Sequence, residues 1–311
     1  MAHYLVTGGA GFIGSNIVEE LVKRGQKIRI LDSFITGKPE NLKPFAGKIE
    51  VIKGDIRNKA ALKKALKNID YVIHQAALRS VPKSVDDPFT TNDINVFGTL
   101  NLLMEAKKAG VKRVVYASSS SVYGEAKKFP QRETDLTSPI SPYGVSKLAA
   151  ENYCITFAKT FGLETVSLRY FNVFGPRQNP DSKYSAVIPA FLFTMAKGAR
   201  PVIEWDGKQS RDFTYVANVV EANLRSCVAK GVSGEVFNVA CGTTTSVNGI
   251  VEELNNILGT DIKAKYAPKR KGDVKKTYAD VSKMRKKLGV RSIIGFEEGL
   301  KLTVEWFKGR K

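Results

Sequence analysis

Tyr143 and Lys147 stand four residues apart in the stretch SPYGVSK. On a helix that spacing puts both side chains on one face. A phenol titrates near pH ~10 and is a poor base at neutral pH. A nearby ammonium stabilises the phenolate and lowers that value. The pair can therefore serve as a general base for an alcohol, although Tyr-x-x-x-Lys is also an ordinary surface pairing. Ser118, Ser119, Ser120 and Ser121 follow the apolar run Lys112–Ala117. One of these hydroxyls could donate to the oxygen that Tyr143 serves; the plainer reading is a polar loop.

Such a pair acts only if other elements hold a partner for it. The N-terminal run Ala2–Thr7 is rich in strand formers, and helical periodicity begins at Phe12. Between them lie Gly8, Gly9, Gly11 and Gly14, which fit both G-x-G-x-x-G (Gly9, Gly11, Gly14) and G-x-x-G-x-x-G (Gly8, Gly11, Gly14). In a strand–turn–helix context one glycine makes the turn, one admits a pyrophosphate and one packs the helix on the strand. The free N–H groups and positive dipole end of the helix suit phosphate. Lys27–Leu31 reads as a second strand with Asp32 at its end, where a ribose 2′-hydroxyl would be gripped. Asp32 without an adjacent Arg favours NAD over NADP, because a carboxylate repels a 2′-phosphate.

Further strands are expected at Ile49–Gly54, Asp70–His74, Lys112–Ala117 and Glu164–Tyr170. Helices are expected at Asn58–Lys67, within Asp87–Ala109, and at Tyr143–Phe161. Alternating strands and helices predict an α/β, Rossmann-type doubly wound parallel sheet. Ligands of such sheets bind at the strand C-termini, which is where the serine run falls. After residue 170 the pattern loosens into loops rich in Pro, Gly and Asn. We therefore expect an NAD-binding domain over residues 1–170, with segments near 213–240 returning to it. Residues 171–311 would form a smaller C-terminal α/β domain for the substrate.

The 311 residues are ample for a full core. Neither a signal-peptide pattern nor an apolar run near ~18 residues is present, which predicts a soluble, cytoplasmic protein with no membrane partner. Cys154, Cys227 and Cys241 lie far apart, so reduced core thiols and no metal site are expected. The net charge is +19. The lysines are spread along the chain and no nucleic-acid module is evident, so a solvated surface is expected, one that also attracts anionic substrates.

The chain resembles the extended short-chain dehydrogenases/reductases, within the NAD-dependent nucleotide-sugar epimerase/dehydratase family. The resemblance rests on TGGAGFIGS, LDSFITG, GDIRN, HQAA, NVFGTLNLL, YASSSSVYG, SPYGVSK, RYFNVFGPR, QSRDFTYV and RKGDV. It implies Ser119, Tyr143 and Lys147 as the catalytic trio, with Tyr143 and Lys147 also at the cofactor, Lys147 on its ribose. It implies Gly8, Gly11, Phe12, Ile13 and Gly14 at the pyrophosphate, Asp32, Ser33, Thr36 and Gly37 at the adenosine ribose, and Asp55 and Ile56 at the adenine. Ala76, Ala77 and Arg79 would face the cofactor. Asn95 would lie behind the active site and Tyr170 near the nicotinamide, where core packing is an equal reading. Asn172, Val187, Arg211, Phe213 and Arg270 would surround the nucleotide diphosphate, with Ser121, Ala186, Asp273 and Thr277 completing the substrate site. Arg suits phosphate through its bidentate fork, but Arg211 and Arg270 also fit structural ion pairs.

Relatives that dehydrate or decarboxylate carry acidic residues just before the V-Y-G. Here Ser120 and Ser121 stand there, which resembles the 4-epimerases. Thr277 and Ala186 are small where glucose/galactose enzymes are similar to one another in carrying Tyr and Asn. That implies room for an N-acetyl group, and hence UDP-GlcNAc/UDP-GalNAc, with UDP-Glc/UDP-Gal as well; alternatively Thr277 only packs on a neighbour. A UDP-glucuronate 4-epimerase and a catalytically silent NAD-binding protein are the competing readings. The resemblance also implies a homodimer through helices near residues 95–109 and 145–160.

Overall fold

The computed structural model describes residues 1–179, 186–269, 275–291 and 293–309. The apolar runs become strands buried on both faces, as a parallel sheet covered by helices requires. They are β1 (His3–Thr7), β2 (Lys27–Asp32), β3 (Glu50–Lys53), β4 (Tyr71–His74), β5 (Arg113–Ser119), β6 (Glu164–Tyr170) and β7 (Glu235–Val239). They form one parallel sheet in the order β3–β2–β1–β4–β5–β6–β7. The order reverses between β1 and β4, which is where a doubly wound sheet opens a crevice for ligands. Thr7, Asp32, His74, Ser119 and Tyr170 are the last residues of their strands and line up along that edge.

Helices α1 (Phe12–Lys23), α2 (Lys59–Leu66), α3 (Gly98–Lys108), α4 (Pro142–Phe161) and α5 (Val216–Val228) cover the sheet. Val6, Ile30, Val115 and Leu168 share one buried cluster with Ile17 and Leu21 of α1 and Val219 of α5. Leu5, Leu31, Val72 and Val114 share the other with Leu62 of α2, Leu102 of α3 and Phe157 of α4. Consecutive residues such as Leu5 and Val6 thus supply opposite cores, as the period of a strand dictates. The helix expected within Asp87–Ala109 is real but widens into a π-turn at Asp93–Phe97.

Beyond β6 regular structure shrinks to short pairs. Val173–Phe174 pairs with Thr214–Tyr215, Ser210–Arg211 with Thr245–Ser246, and Val202–Glu204 with Lys265–Ala267. Helices Val187–Met195, Val247–Leu258 and Phe296–Lys308 pack beside them. Glu235–Val239 leaves this region to join the main sheet beside β6. Cys154, Cys227 and Cys241 are free and buried. Among the described residues, no His/Cys/Asp/Glu group has metal-binding geometry, and no helix is long and apolar enough to cross a membrane.

Candidate functional site

The glycine turn settles which of its two patterns operates. Gly8 has φ +68°, and a Cβ there would lie 2.7 Å from the Ala76 nitrogen. A Cβ on Gly14 would lie 2.2 Å from the Gly8 carbonyl oxygen. Gly8 therefore makes the turn, and Gly14 lets α1 pack on it. Gly11 is the extended N-cap of α1 and offers no capping side chain, so the first helical N–H groups stay free for an anion. Gly9 meets only the Ile30 side chain, so the wider Gly8–Gly11–Gly14 spacing forms the cradle.

Asp32 ends β2 and its carboxylate accepts from Ala10 N–H (2.9 Å) and Phe34 N–H (2.8 Å). Burial nevertheless raises its pKa. A Cβ at Gly37 would come within 2.8 Å of that carboxylate, so only glycine lets the loop cross here. Gly8, Gly11, Phe12, Ile13, Gly14, Asp32, Ser33, Thr36, Gly37, Asp55, Ile56, Ala76, Ala77 and Arg79 all line one groove of about 850 Å³. Backbone donors for a pyrophosphate, a carboxylate for a ribose and an apolar wall fit a dinucleotide. Asp55 is held bidentately by Arg57 (2.7 and 3.0 Å), which lowers its pKa.

Among the residues expected at the cofactor, Asn95, Tyr170 and the reactive pair Tyr143 and Lys147 do not line this groove. Asn95, in the π-turn, accepts from Leu78 N–H (2.8 Å) and donates to Leu78 O (2.9 Å) and Ser146 Oγ (3.0 Å). Its amide is saturated, so it clamps the loop after β4 to α4. The Tyr170 hydroxyl is engaged by Gln75 (2.9 Å) and Asn223 (2.8 Å). Tyr170 thereby steadies Gln75, a groove residue that sequence reasoning missed although it stands directly after a strand end.

A second missed group lies beneath. Thr99 donates to Asn95 O (2.6 Å), which can only accept. Thr99 Oγ1 must then accept from His74 Nε2–H (3.0 Å), and His74 Nδ1 accepts from Thr7 (2.7 Å). Burial pushes the His74 pKa down to about 3, so the ring stays neutral. This buried chain ties the ends of β1 and β4 to the π-turn, and through Asn95 and Ser146 to α4.

α4 places the reactive pair. Ser141 caps it by accepting from Gly144 N–H (3.1 Å), Pro142 starts it, and Gly162 at φ +70° ends it. Tyr143 falls in the first turn and Lys147 one turn later, both buried. β5 runs two residues past the expected strand, so Ser118 and Ser119 belong to it and point to opposite faces. Ser118 donates to Glu151 (2.6 Å). The Ser119 side chain lies beside the Tyr143 phenol and donates to Ser121 Oγ (3.1 Å). Burial raises the Tyr143 pKa, and Ser119 together with the Arg79 charge opposes that rise. Lys147 Nζ donates to Ala117 O (2.8 Å) and lies 5.9 Å from the Tyr143 ring centre. Burial brings its pKa down to about 7. The Arg79 charge favours the phenolate, and Lys147, when protonated, is a second cation beside the phenol.

A second cavity, of about 990 Å³, lies among the short strand pairs. Asn172, Ala186, Val187, Arg211 and Phe213 line it together with residues not foreseen, Glu204, Gln209 and Val247 among them. Arg211 Nη1 donates to Ser210 O (2.9 Å) and Lys275 O (3.4 Å), which fixes its fork. Phe213 packs against Phe296 at 5.7 Å. Thr277 contacts Asn172 (2.9 Å). Arg270 and Asp273 lie outside the described residues.

Residues 4–240 match the NAD dependent epimerase/dehydratase family. The chain is 40% identical over 306 residues to a putative UDP-glucose 4-epimerase of Methanocaldococcus jannaschii, with 98% of each chain covered. It superposes with TM-score 0.95 and 42% identity on the UDP-N-acetylglucosamine 4-epimerase of Methanobrevibacter ruminantium M1 in complex with UDP-N-acetylmuramic acid (100% and 99% covered). It superposes with TM-score 0.94 and 40% identity on the UDP-glucose 4-epimerase of Thermotoga maritima with UDP-glucose (99% of each covered).

Proposed function

The chain belongs to the NAD dependent epimerase/dehydratase family, and from that premise we propose that it interconverts the C4 epimers of a UDP-hexose, UDP-GlcNAc/UDP-GalNAc foremost and UDP-Glc/UDP-Gal in addition. The cofactor is NAD, held by the Gly8–Gly14 cradle and Asp32. On this reading residues 1–170, with 213–240 returning to them, carry the cofactor, and 171–311 carry the nucleotide sugar.

The observation that carries the proposal is the assembly of Ser119, Tyr143 and Lys147 at the end of β5, with Ser120 and Ser121 in the turn that follows. Bound NAD supplies the two-electron acceptor and donor that oxidation and re-reduction at C4 require. Tyr143 removes the proton of the sugar 4-hydroxyl and returns it after the 4-keto sugar has turned over. Ser119 hydrogen-bonds the same oxygen. The Lys147 ammonium and the Arg79 charge favour the phenolate, and Lys147 is steadied by its bond to Ala117 O. Dehydration across C5–C6 needs a further acid/base pair, which two serines do not provide. Arg211 and Phe213 anchor the UDP remote from the reacting carbon. We also propose a homodimer. Phe97 beside α3, Met104 on α3, and Val145, Tyr153 and Phe161 on α4 leave apolar surface exposed on the two helices expected at such an interface.

The test is an NMR assay of the anomeric signals with UDP-GlcNAc, UDP-Glc and UDP-GlcA supplied separately. Conversion of UDP-GlcNAc is expected. Conversion of UDP-Glc alone would remove the N-acetyl assignment. Conversion of UDP-GlcA alone would move the protein to the glucuronate branch, and no conversion with NAD bound would leave a silent binder.

A further inference from the structure

Asn172 lines the second cavity with a backbone φ of +21°, a conformation rare for non-glycine residues. Both hydrogens of its amide nitrogen are taken. Nδ2 donates to Thr277 Oγ1 at 2.9 Å and to the Asp212 carbonyl at 3.4 Å. That carbonyl can only accept, which fixes the orientation of the amide. The amide group left for a ligand is therefore Oδ1, an acceptor.

Phosphate oxygens accept as well and would repel it. We propose that Asn172 Oδ1 receives a hydrogen-bond donor of the hexose, a ring hydroxyl or a 2-acetamido N–H, rather than binding the diphosphate through its amide. Thr277 Oγ1 is the positioning group that holds the amide this way. The inference rests on the UDP-hexose reading and adds to it a donor on the sugar and a second function for Thr277 besides its small size.

Main-chain bonds set the place of that hydroxyl. Thr277 N–H donates to Ser210 O (3.1 Å), and Asp212 N–H donates to Thr277 O (3.0 Å). Asp212 is itself fixed, since its carboxylate accepts from Cys241, Gly242 and Ala279 N–H at 2.9, 3.0 and 3.3 Å. Thr277 Oγ1 thus sits on a braced frame and cannot easily follow Asn172 if the amide turns. A size-only account needs any small side chain at 277; this one needs the oxygen.

Valine and serine separate the two. Holoenzyme carrying Thr277→Val, Thr277→Ser or neither is titrated calorimetrically with UDP, UDP-GlcNAc and UDP-Glc. T277V is expected to weaken both hexose complexes by about tenfold, the worth of one hydrogen bond, and to leave UDP affinity within about twofold. T277S should bring hexose affinity back to within about threefold. Hexose affinity unmoved in T277V, or UDP affinity falling in parallel, would overturn the proposal. Asn172→Asp supplies a check independent of residue 277. A carboxylate facing the sugar lowers UDP affinity by less than about threefold, whereas facing the diphosphate it would abolish UDP binding and sink the idea. Because the readout is binding, failure of the epimerase reading shows separately, as unmodified protein that yields no C4 epimer.

Discussion

Around Gly8–Gly14 the walls of the cofactor groove are main chain. Gly14 leaves room for the Gly8 carbonyl, Gly8 leaves room for the Ala76 nitrogen, and five strands end on one edge. Around Arg211 the pocket proposed for the substrate is held differently. Strand pairs of two or three residues are stapled by side chains onto distant backbone, as Asp212 joins Cys241, Gly242 and Ala279. The first region is shaped by what is absent from its side chains. The second is shaped by side-chain bonds that a single substitution can retune. On the proposed function, a cradle of main chain for the cofactor stands beside a pocket for the sugar held by side chains.

The largest expected effect lies at the reactive pair on α4. Tyr143→Phe should lower turnover about 10³-fold, within the ~10²–10⁴ range of general acid–base catalysis, while NAD content and melting temperature stay unchanged. Both are read by absorbance of released cofactor and by calorimetry. A fully active Phe variant would remove Tyr143 from the chemistry.

Gly14→Ala attacks the main-chain wall directly. Its Cβ would press on backbone that cannot rotate away, so a loss of about 1–3 kcal/mol is expected, with the protein purifying free of NAD. Asp212→Asn is the counterpart in the stapled region. Replacing one acceptor oxygen by NH₂ leaves at least one of three buried N–H groups unpaired, at about 1–3 kcal/mol. Here NAD should stay bound while UDP affinity falls; loss of both together would show that the two regions are not separable. Thr277→Tyr should lower kcat/KM for UDP-GlcNAc at least tenfold relative to UDP-Glc, about 1.4 kcal/mol. Unchanged selectivity would count against an enlarged pocket.

A further effect is a pH slope. Lys147 titrates at about 7 in the folded chain and near ~10.4 unfolded. Between those values only the unfolded chain holds the proton, so the stability of the NAD-free protein should rise with pH across that window. Lys147→Met should flatten the rise in urea midpoints.

The same contrast governs what was legible in the sequence. Strands β1–β6, α1 and α4 followed from continuous apolar runs and helical period, and the glycines and Asp32 from their place at strand ends. Tyr143 and Lys147 met on one face because a helix obliges them to. The bond between Asn172 and Thr277 spans 105 residues and leaves no periodic trace, nor do two-residue strand pairs. The Thr7–His74–Thr99 chain was hidden for another reason: each member looks like an ordinary core-facing residue, and only the shared proton count reveals the link. Resemblance puts Asn95 behind the active site and Tyr170 near the nicotinamide; the structure adds that their polar atoms bond Leu78, Ser146, Gln75 and Asn223. Sequence position could place these two near the groove without saying which way their polar groups turned.

The most direct test of the central claim is the fate of a deuterium at C4. UDP-GlcNAc deuterated at that carbon is incubated with the holoenzyme in ordinary water, and the product is read by NMR. Oxidation and re-reduction at C4 within one closed site predict UDP-GalNAc that keeps the deuterium at C4, formed by the native protein and not by Tyr143→Phe. A C4 epimer carrying solvent hydrogen, or no epimer from protein with NAD confirmed bound, would contradict the account.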